Sequence, residues 1–309
     1  MQTLSLRPME PADRAEIAEL ICLSTNSWYQ AHGRPPVFPA GPEATEVFFD
    51  VYQALDPGFG IVAVHPRTER VMGSCFFHPR ERHVSLGIMN VHPNHFGRGV
   101  ARALLQHIID YAEKHQIPAV RLVQSALNLD SFSLYTRAGF VPRQAYQDLY
   151  LQVPEAGLPD TNAQRDRIRP ATFADLPALA TLEMEISGIC REKDYRYFIE
   201  NREGMWGARV CEGPHGIDGF MFSCKHPALN MLGPGAARSQ EQAIALVRDS
   251  LDRYRGTGAL VLVPVECDRM VQEMYALGAK NCELHFCQVR GQFQTFRGVT
   301  IPTFLPESG

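Results

Sequence analysis

No Cys-x-x-Cys pair occurs among the eight cysteines, which are scattered at positions 22, 75, 190, 211, 224, 267, 282 and 287. That spacing excludes a zinc ribbon and offers no disulfide framework, so reduced cysteines in the cores of a cytoplasmic protein are expected. Long hydrophobic runs are missing too. The nearly uncharged stretch Gly258 to Val265 falls far short of the ~20 apolar residues that a membrane helix needs. Met1 to Glu10 lacks the basic-then-apolar order of a secretory leader. Positive charge is not in excess either. With 30 Lys and Arg against 34 Asp and Glu the formal charge is −4, so no global field draws the chain to nucleic acid or to an anionic membrane.

What is present suffices for two cores. The chain has 309 residues, 45% of them hydrophobic, and at ~150 residues per domain that predicts about two domains. An internal echo supports the count. Arg7-Pro8 followed by Ala12-Asp13 and Ile17-Ala18-Glu19-Leu20 returns, 162 residues on, as Arg169-Pro170, Ala174-Asp175 and Leu179-Ala180-Thr181-Leu182. An offset of domain size implies two copies of one fold. Residues 154–166, rich in Pro, Gly, Asp, Asn and Gln, read as the linker between domains 1–153 and 167–309.

Within the first copy the pattern is mixed α/β. A strand over Thr3 to Arg7 precedes a helix opened by Pro11, then a loop from Ser24 to Pro42 and an amphipathic stretch over Glu46 to Leu55. Strand-like runs follow at Gly60 to His65, Val71 to Phe77 and His83 to Val91. Apolar residues at 100, 101, 104, 105, 108, 109 and 112 predict a helix over Arg98 to Lys114. A β-rich run at Ala119 to Val123, a short helix at Asp130 to Arg137 and a strand at Ala145 to Val153 complete the copy. The second copy repeats this order, with helices expected at Asp175 to Glu185, Ser239 to Arg255 and Arg269 to Leu277.

Chemistry concentrates in one turn. After the strand ending at Val91 comes Phe96-Gly97-Arg98-Gly99-Val100-Ala101-Arg102 and the start of a helix. Free amides at a helix N-terminus and the helix dipole favour an anion there, and glycines let a phosphate approach the backbone. The Gly-x-Gly-x-x-Gly fingerprint is absent because Arg102 stands at its third position, and no Gly-Lys-Ser/Thr follows. A plain strand-to-helix turn explains the glycines as well. His92 and His95 resemble a metal pair, but no third ligand motif accompanies them, so no metal is expected.

Val91-x-Pro93 with Gly97-Arg98-Gly99-Val100-Ala101 resembles the first motif of the GNAT superfamily of N-acetyltransferases, departing from it at Phe96, near the Gln/Arg position. The second motif, Asn128 followed seven residues on by Tyr135 and then by Gly139-Phe140, is present as well. The resemblance implies two tandem GNAT-like domains, each a mixed, mostly antiparallel sheet flanked by helices. It implies acetyl-CoA as acyl donor, its pyrophosphate on the amides of Gly97 to Arg102 and its pantetheine arm along Met89, Asn90 and Val91. Asn128, with Ser131 nearby, would hold the pantetheine, and Tyr135 would protonate the departing thiolate in a direct transfer. A core tyrosine is the plain alternative for Tyr135.

Family members often place a glutamate on the fourth strand, and His83 to Val91 has none. His83 is the expected base, relayed through water near Ser85 or Asn90. In the second copy the turn from Arg238 to Ala243 has no glycine, and Glu241 sits where a phosphate would lie, so its cofactor loop reads as degraded. Asp268 and Tyr275 repeat the seven-residue spacing. Trp28 and Tyr29 mark an acceptor region. A primary amine of a small molecule is expected as acceptor, on a monomer or homodimer. Two other classes stay open: a non-catalytic acyl-CoA-binding protein, and a protein or peptide N-acetyltransferase.

Overall fold

The chain enters through strand β1 (Ser5–Pro8), which leads through a one-turn 3-10 start into helix α1 (Arg14–Ala31). The structure is a computed structural model that describes residues 4–159 and 164–308. Residues 160–163 of the expected linker, and Thr3 of the expected first strand, lie outside the described residues. Packing divides the chain into two units: residues up to Val120 together with Phe304–Glu307, and Arg121–Thr303 with the last two residues.

The first unit continues with α2 (Pro42–Leu55), β2 (Gly60–Val64), β3 (Val71–Pro79), β4 (Val84–Val91) and α3 (Val100–Lys114). Its strands run in the order β1-β2-β3-β4, each antiparallel to the next. The expected loop from Ser24 is a correction: α1 persists to Ala31, which places Trp28 and Tyr29 on a helix. Burial of Leu20, Ile21 and Ser24 and stacking of Trp28 on His32 carry the helix through a polar stretch of weak propensity. Likewise α2 starts a turn earlier than Glu46, because Pro42 suits the first helical position and Thr45 Oγ1 donates to Ala18 O at 2.7 Å.

β3 and β4 carry a bulge. Cys75 pairs with Met89 and Phe77 with Leu86, so Phe76 faces both Gly87 and Ile88. A side chain at Gly87 would stand 3.0 Å from Phe76 O and from Tyr52 Cε1, which leaves glycine as the residue that fits.

The second unit begins within β5 (Ala119–Ser125) and contains α4 (Leu129–Arg137), β6 (Val141–Gln152), β7 (Ile168–Pro170), α5 (Leu176–Ser187), α6 (Glu192–Glu200), β8 (Trp206–Gly213) and β9 (Gly216–His226). It continues with β10 (Leu229–Ala237), α7 (Gln240–Leu251), β11 (Gly258–Pro264), α8 (Asp268–Ala276), β12 (Lys280–Gly291) and β13 (Val299–Ile301). Its strand order is β5-β12-β6-β11-β10-β9-β8-β7, with β13 on β10.

β6, from the first half of the sequence, therefore lies between β12 and β11 of the second half, antiparallel to both. Two twelve-residue strands, β6 and β12, the seven-residue β11, and a core of Leu149, Leu151, Val261 and Val263 hold this exchange. Area bookkeeping makes such burial favourable at ~25 cal/mol per Å².

Candidate functional site

The turn after β4 leaves the first amides of a helix open. His92 Nδ1 accepts from Asn94 N at 3.2 Å and a short 3-10 turn follows, which aims the chain at α3. Gly97 (φ 72°) and Gly99 (φ 82°) are left-handed, and a side chain at either would meet nothing within 4 Å. The two glycines thus answer a torsional need in open space. Gly99 is the N-cap of α3 and no side chain caps the helix, so the amides of Val100, Ala101 and Arg102 keep no intrahelical partner. Arg98 and Arg102 are exposed beside them, and Phe96 is half-exposed at the rim. Burial first, then Arg98, His92 and His65, lower the pKa of His95, so the turn favours a neutral imidazole.

Along β4, Ile88, Met89 and Val91 are half-buried. Asn90 is committed: its Nδ2 donates to Ser24 Oγ at 2.7 Å and to Thr25 Oγ1 at 3.2 Å, which ties β4 to α1. His83 is buried at the strand's entry, Nε2 lying 3.0 Å from Ser85 Oγ. Trp28 and Tyr29 meet edge to face at 5.1 Å near the end of α1.

In the second unit α4 brings together Asn128, Ser131 and Tyr135. Asn128 is the N-cap, its Oδ1 accepting from Ser131 N at 3.0 Å, which leaves its amide nitrogen as a donor. Tyr135 is buried, with its ring 5.8 Å from Phe140.

Helix α8 corrects one sequence correspondence. Its N-cap is Cys267, not Asp268, and Gly278 (φ 91°) closes it as Gly139 (φ 89°) closes α4. Counting from the cap, Met274 and not Tyr275 stands where Tyr135 does. Tyr275 points outward and donates to Gln147 Oε1 at 2.6 Å. The seven-residue spacing of Asp268 and Tyr275 is a slip of one residue, which on a helix turns the side chain away.

The second copy's turn is closed. Ser239 caps α7 by accepting from Gln242 N. β10 pairs in parallel with β11 only at Met231 and Leu232, and beyond them β13 pairs with β10 at Gly235, Ala236 and Ala237. Chain from the same unit therefore occupies the strand edge. Gly233 makes room for it, since a side chain there would strike Pro302 O.

Several groups escaped the sequence reading. Asp56 Oδ2 lies 2.5 Å from His78 Nδ1 and accepts from Arg80 Nη1 at 3.0 Å, all three buried, while Tyr52 stacks on His78 at 4.7 Å. Among the described residues Asp148, Glu283 and His285 have ligand atoms within 4.8 Å of one another. His285 Nδ1 and Asp148 Oδ1 pair at 3.0 Å and Ser125 Oγ donates to Glu283, so the cluster has hydrogen bonds without an ion. Polar residues at buried positions of β12, Glu283 and His285, hid the strand's alternation.

Residues 25–140 match the acetyltransferase (GNAT) family model. A curated relative, UPF0157 protein YqkA of Bacillus subtilis, is 32% identical over 126 residues, 37% of this chain. The chain spans about a third (36%) of that relative's length. Among solved structures a protein from Pyrococcus horikoshii has TM-score 0.75 at 13% identity, covering 99% of this chain and 96% of its own. A GCN5-related N-acetyltransferase from Sphaerobacter thermophilus has TM-score 0.64 at 19% identity, with 94% and 96% covered. A tandem GNAT protein from the clavulanic acid biosynthesis pathway has TM-score 0.62 at 16% identity, with 94% and 98% covered. The family signature covers residues 25–140, and the fold over almost the whole chain is similar to that of the tandem GNAT protein. No helix among the described residues is long and apolar enough to cross a membrane.

Proposed function

We propose that the chain is an acetyl-CoA-dependent N-acetyltransferase that moves an acetyl group directly to a primary amine of a small molecule. The carrying observation is the uncapped N-terminus of α3 behind two left-handed glycines, with Arg98 and Arg102 exposed beside it. A pyrophosphate suits those amides and that dipole. The partly exposed stretch Met89 to Val91 suits an extended pantetheine arm. The free amide nitrogen of Asn128 is a donor for the same arm, and Tyr135 is the acid for the thiolate. His83 is the base that the sequence offers. Trp28 and Tyr29 stand as acceptor contacts. The second copy, with Ser239 on its helix and β13 on its strand edge, takes no cofactor in this reading. Eight free cysteines fit a reducing cytoplasm.

A non-catalytic acyl-CoA-binding role draws support from one observation, the lack of a carboxylate on β4. Calorimetric titration with acetyl-CoA, comparing the natural chain with Gly99→Glu, is the test. One site per chain, lost in the variant, is expected. Two sites would mean that the second copy binds as well, and no binding would leave only the fold. Thiol release with a panel of primary amines then separates enzyme from binding protein.

A further inference from the structure

We infer that Glu307 is the proton acceptor for the attacking amine, brought to the β4 bulge by the segment Phe304–Glu307. The inference rests on the acetyl-transfer reading above.

Three observations place the residue. Phe304–Glu307 packs within the first unit, not with the residues that precede it in sequence. Both of its ends are bound to one side chain of α2: Tyr52 Oη donates to Phe304 O at 3.3 Å and accepts from Glu307 N at 3.2 Å. The same hydroxyl hydrogen-bonds the backbone of Ile88, inside the β4 bulge, and the Tyr52 ring packs on Gly87. The backbone of Glu307 is thus one hydroxyl away from the widened part of β4, and its carboxyl is close enough to act electrostatically on Tyr52 and Cys75. Leu305 is fully buried, which anchors the segment.

The chemistry of the position fits the role. Amine acylation forms an N–C bond and breaks the C–S bond. The thiolate takes a proton from Tyr135, and the amine must give one up. No carboxylate follows Glu81 on the way to Val91, and His83 is buried with its Nε2 3.0 Å from Ser85 Oγ, so in this inference Glu307 takes the role of base in place of His83. Around Glu307 the titratable groups are Tyr52 from α2 and Cys75 from β3, both held neutral because burial raises their pKa values; β4 contributes backbone at Ile88. Glu307 is half-buried, and the loss of water around its carboxyl pushes its pKa above the usual carboxylate range. A carboxylate with a raised pKa is better matched to an ammonium proton than an ordinary one. The sign follows: Glu307 accepts a proton only when ionised, so the rate rises with pH through its pKa.

Thiol release from acetyl-CoA with the amine panel, measured across the neutral and alkaline range, tests this with Glu307→Gln and Glu307→Asp. Glutamine matches a neutral carboxyl in shape, so melting and acetyl-CoA affinity are expected within about twofold of the natural chain. The expected loss in kcat is about 100-fold or more, with disappearance of the ascending limb that belongs to Glu307. Aspartate should recover part of the rate with the limb displaced. Glu307→Gln with the natural kcat and pH profile, while acetyl-CoA still binds, overturns the inference and leaves the function standing. If no amine is turned over, the comparison is made on acetyl-CoA hydrolysis, where an unchanged rate in Glu307→Gln overturns it equally. A natural chain that binds no acetyl-CoA removes the acetyl-transfer reading, and the inference with it.

Discussion

Tyr135 and Met274 occupy the same position in equivalent helices. Each stands seven residues after its N-cap, Asn128 or Cys267, and four before the left-handed glycine that ends the helix, and both are buried. One copy presents a phenol there and the other a thioether, which has no proton to give.

That difference sets the first prediction. Tyr135→Phe should lower kcat by about 100-fold or more with acetyl-CoA affinity nearly unchanged. Tyr275→Phe, which removes only an exposed bond to Gln147, should leave both alone. Equal behaviour of the two variants in thiol release would mean that Tyr135 only packs.

The glycine turn has a separate weak point one strand away. A side chain at Gly73 would meet Val100 Cγ1 at 2.7 Å and Asn90 O at 2.9 Å, so Gly73→Ala must displace the first turn of α3. Overpacking of this kind costs typically 1–3 kcal/mol. Acetyl-CoA affinity should fall although no loop residue is touched. Gly99→Ala meets no neighbour and carries only the torsional cost, roughly 1 kcal/mol. Denaturant midpoints together with calorimetry check both.

Acid stability follows from a repeated lock. Arg169 chelates Asp175 through two bonds of 2.8 Å, and Arg7 chelates Asp13 through two of 2.7 Å; each aspartate also accepts from the backbone N–H three residues earlier. The Arg169 bond is the main reason that Asp175 titrates at about 2, below the ordinary 3.8. Asp13 is lowered by Arg7 in the same way. A depressed carboxyl adds stability that is full above the unfolded value and is lost as pH falls through the folded one, here between about 4 and about 2. Arg169→Ala should therefore flatten that limb and cost on the order of 1–2 kcal/mol at neutral pH, the arginine's partial exposure discounted. Unfolding midpoints that keep the natural acid limb would count against the lock.

Arg191 and Glu183 form a pair with side chains 6% and 2% exposed, Arg191 Nε donating at 3.0 Å. Arg191→Met strands a buried carboxylate and should cost about 3–5 kcal/mol. Burial already raises the Glu183 pKa against the pull of Arg191, so the penalty should shrink at acid pH as the carboxyl is protonated. Arg191→Met with Glu183→Gln should recover most of the loss in chemical denaturation.

Much of the architecture was legible in local sequence. The Arg-Pro and Asp of the echo are the two chelated locks, and capping, glycine placement and apolar spacing outlined α3, α4 and the turn between β4 and α3. These features depend on neighbours within one or two helical turns, so their hydrogen bonds follow from residue order. Less was legible where polar residues are buried. Glu283 and His285 broke the alternation of β12, and Ser24 to Ala31 read as a loop although packing holds it helical.

By itself the sequence determined a strand, an open glycine turn and a helix with free amides, because Gly97 and Gly99 permit the left-handed backbone that the turn demands. Only the tertiary structure decided that β6 and β12 exchange partners, that β13 closes the second copy's strand edge, and that Glu307 binds Tyr52 across 255 residues of chain. Such contacts leave no periodicity in the chain. They arise where long-range burial outweighs the entropy of closing a long loop, a cost that grows only slowly with loop length.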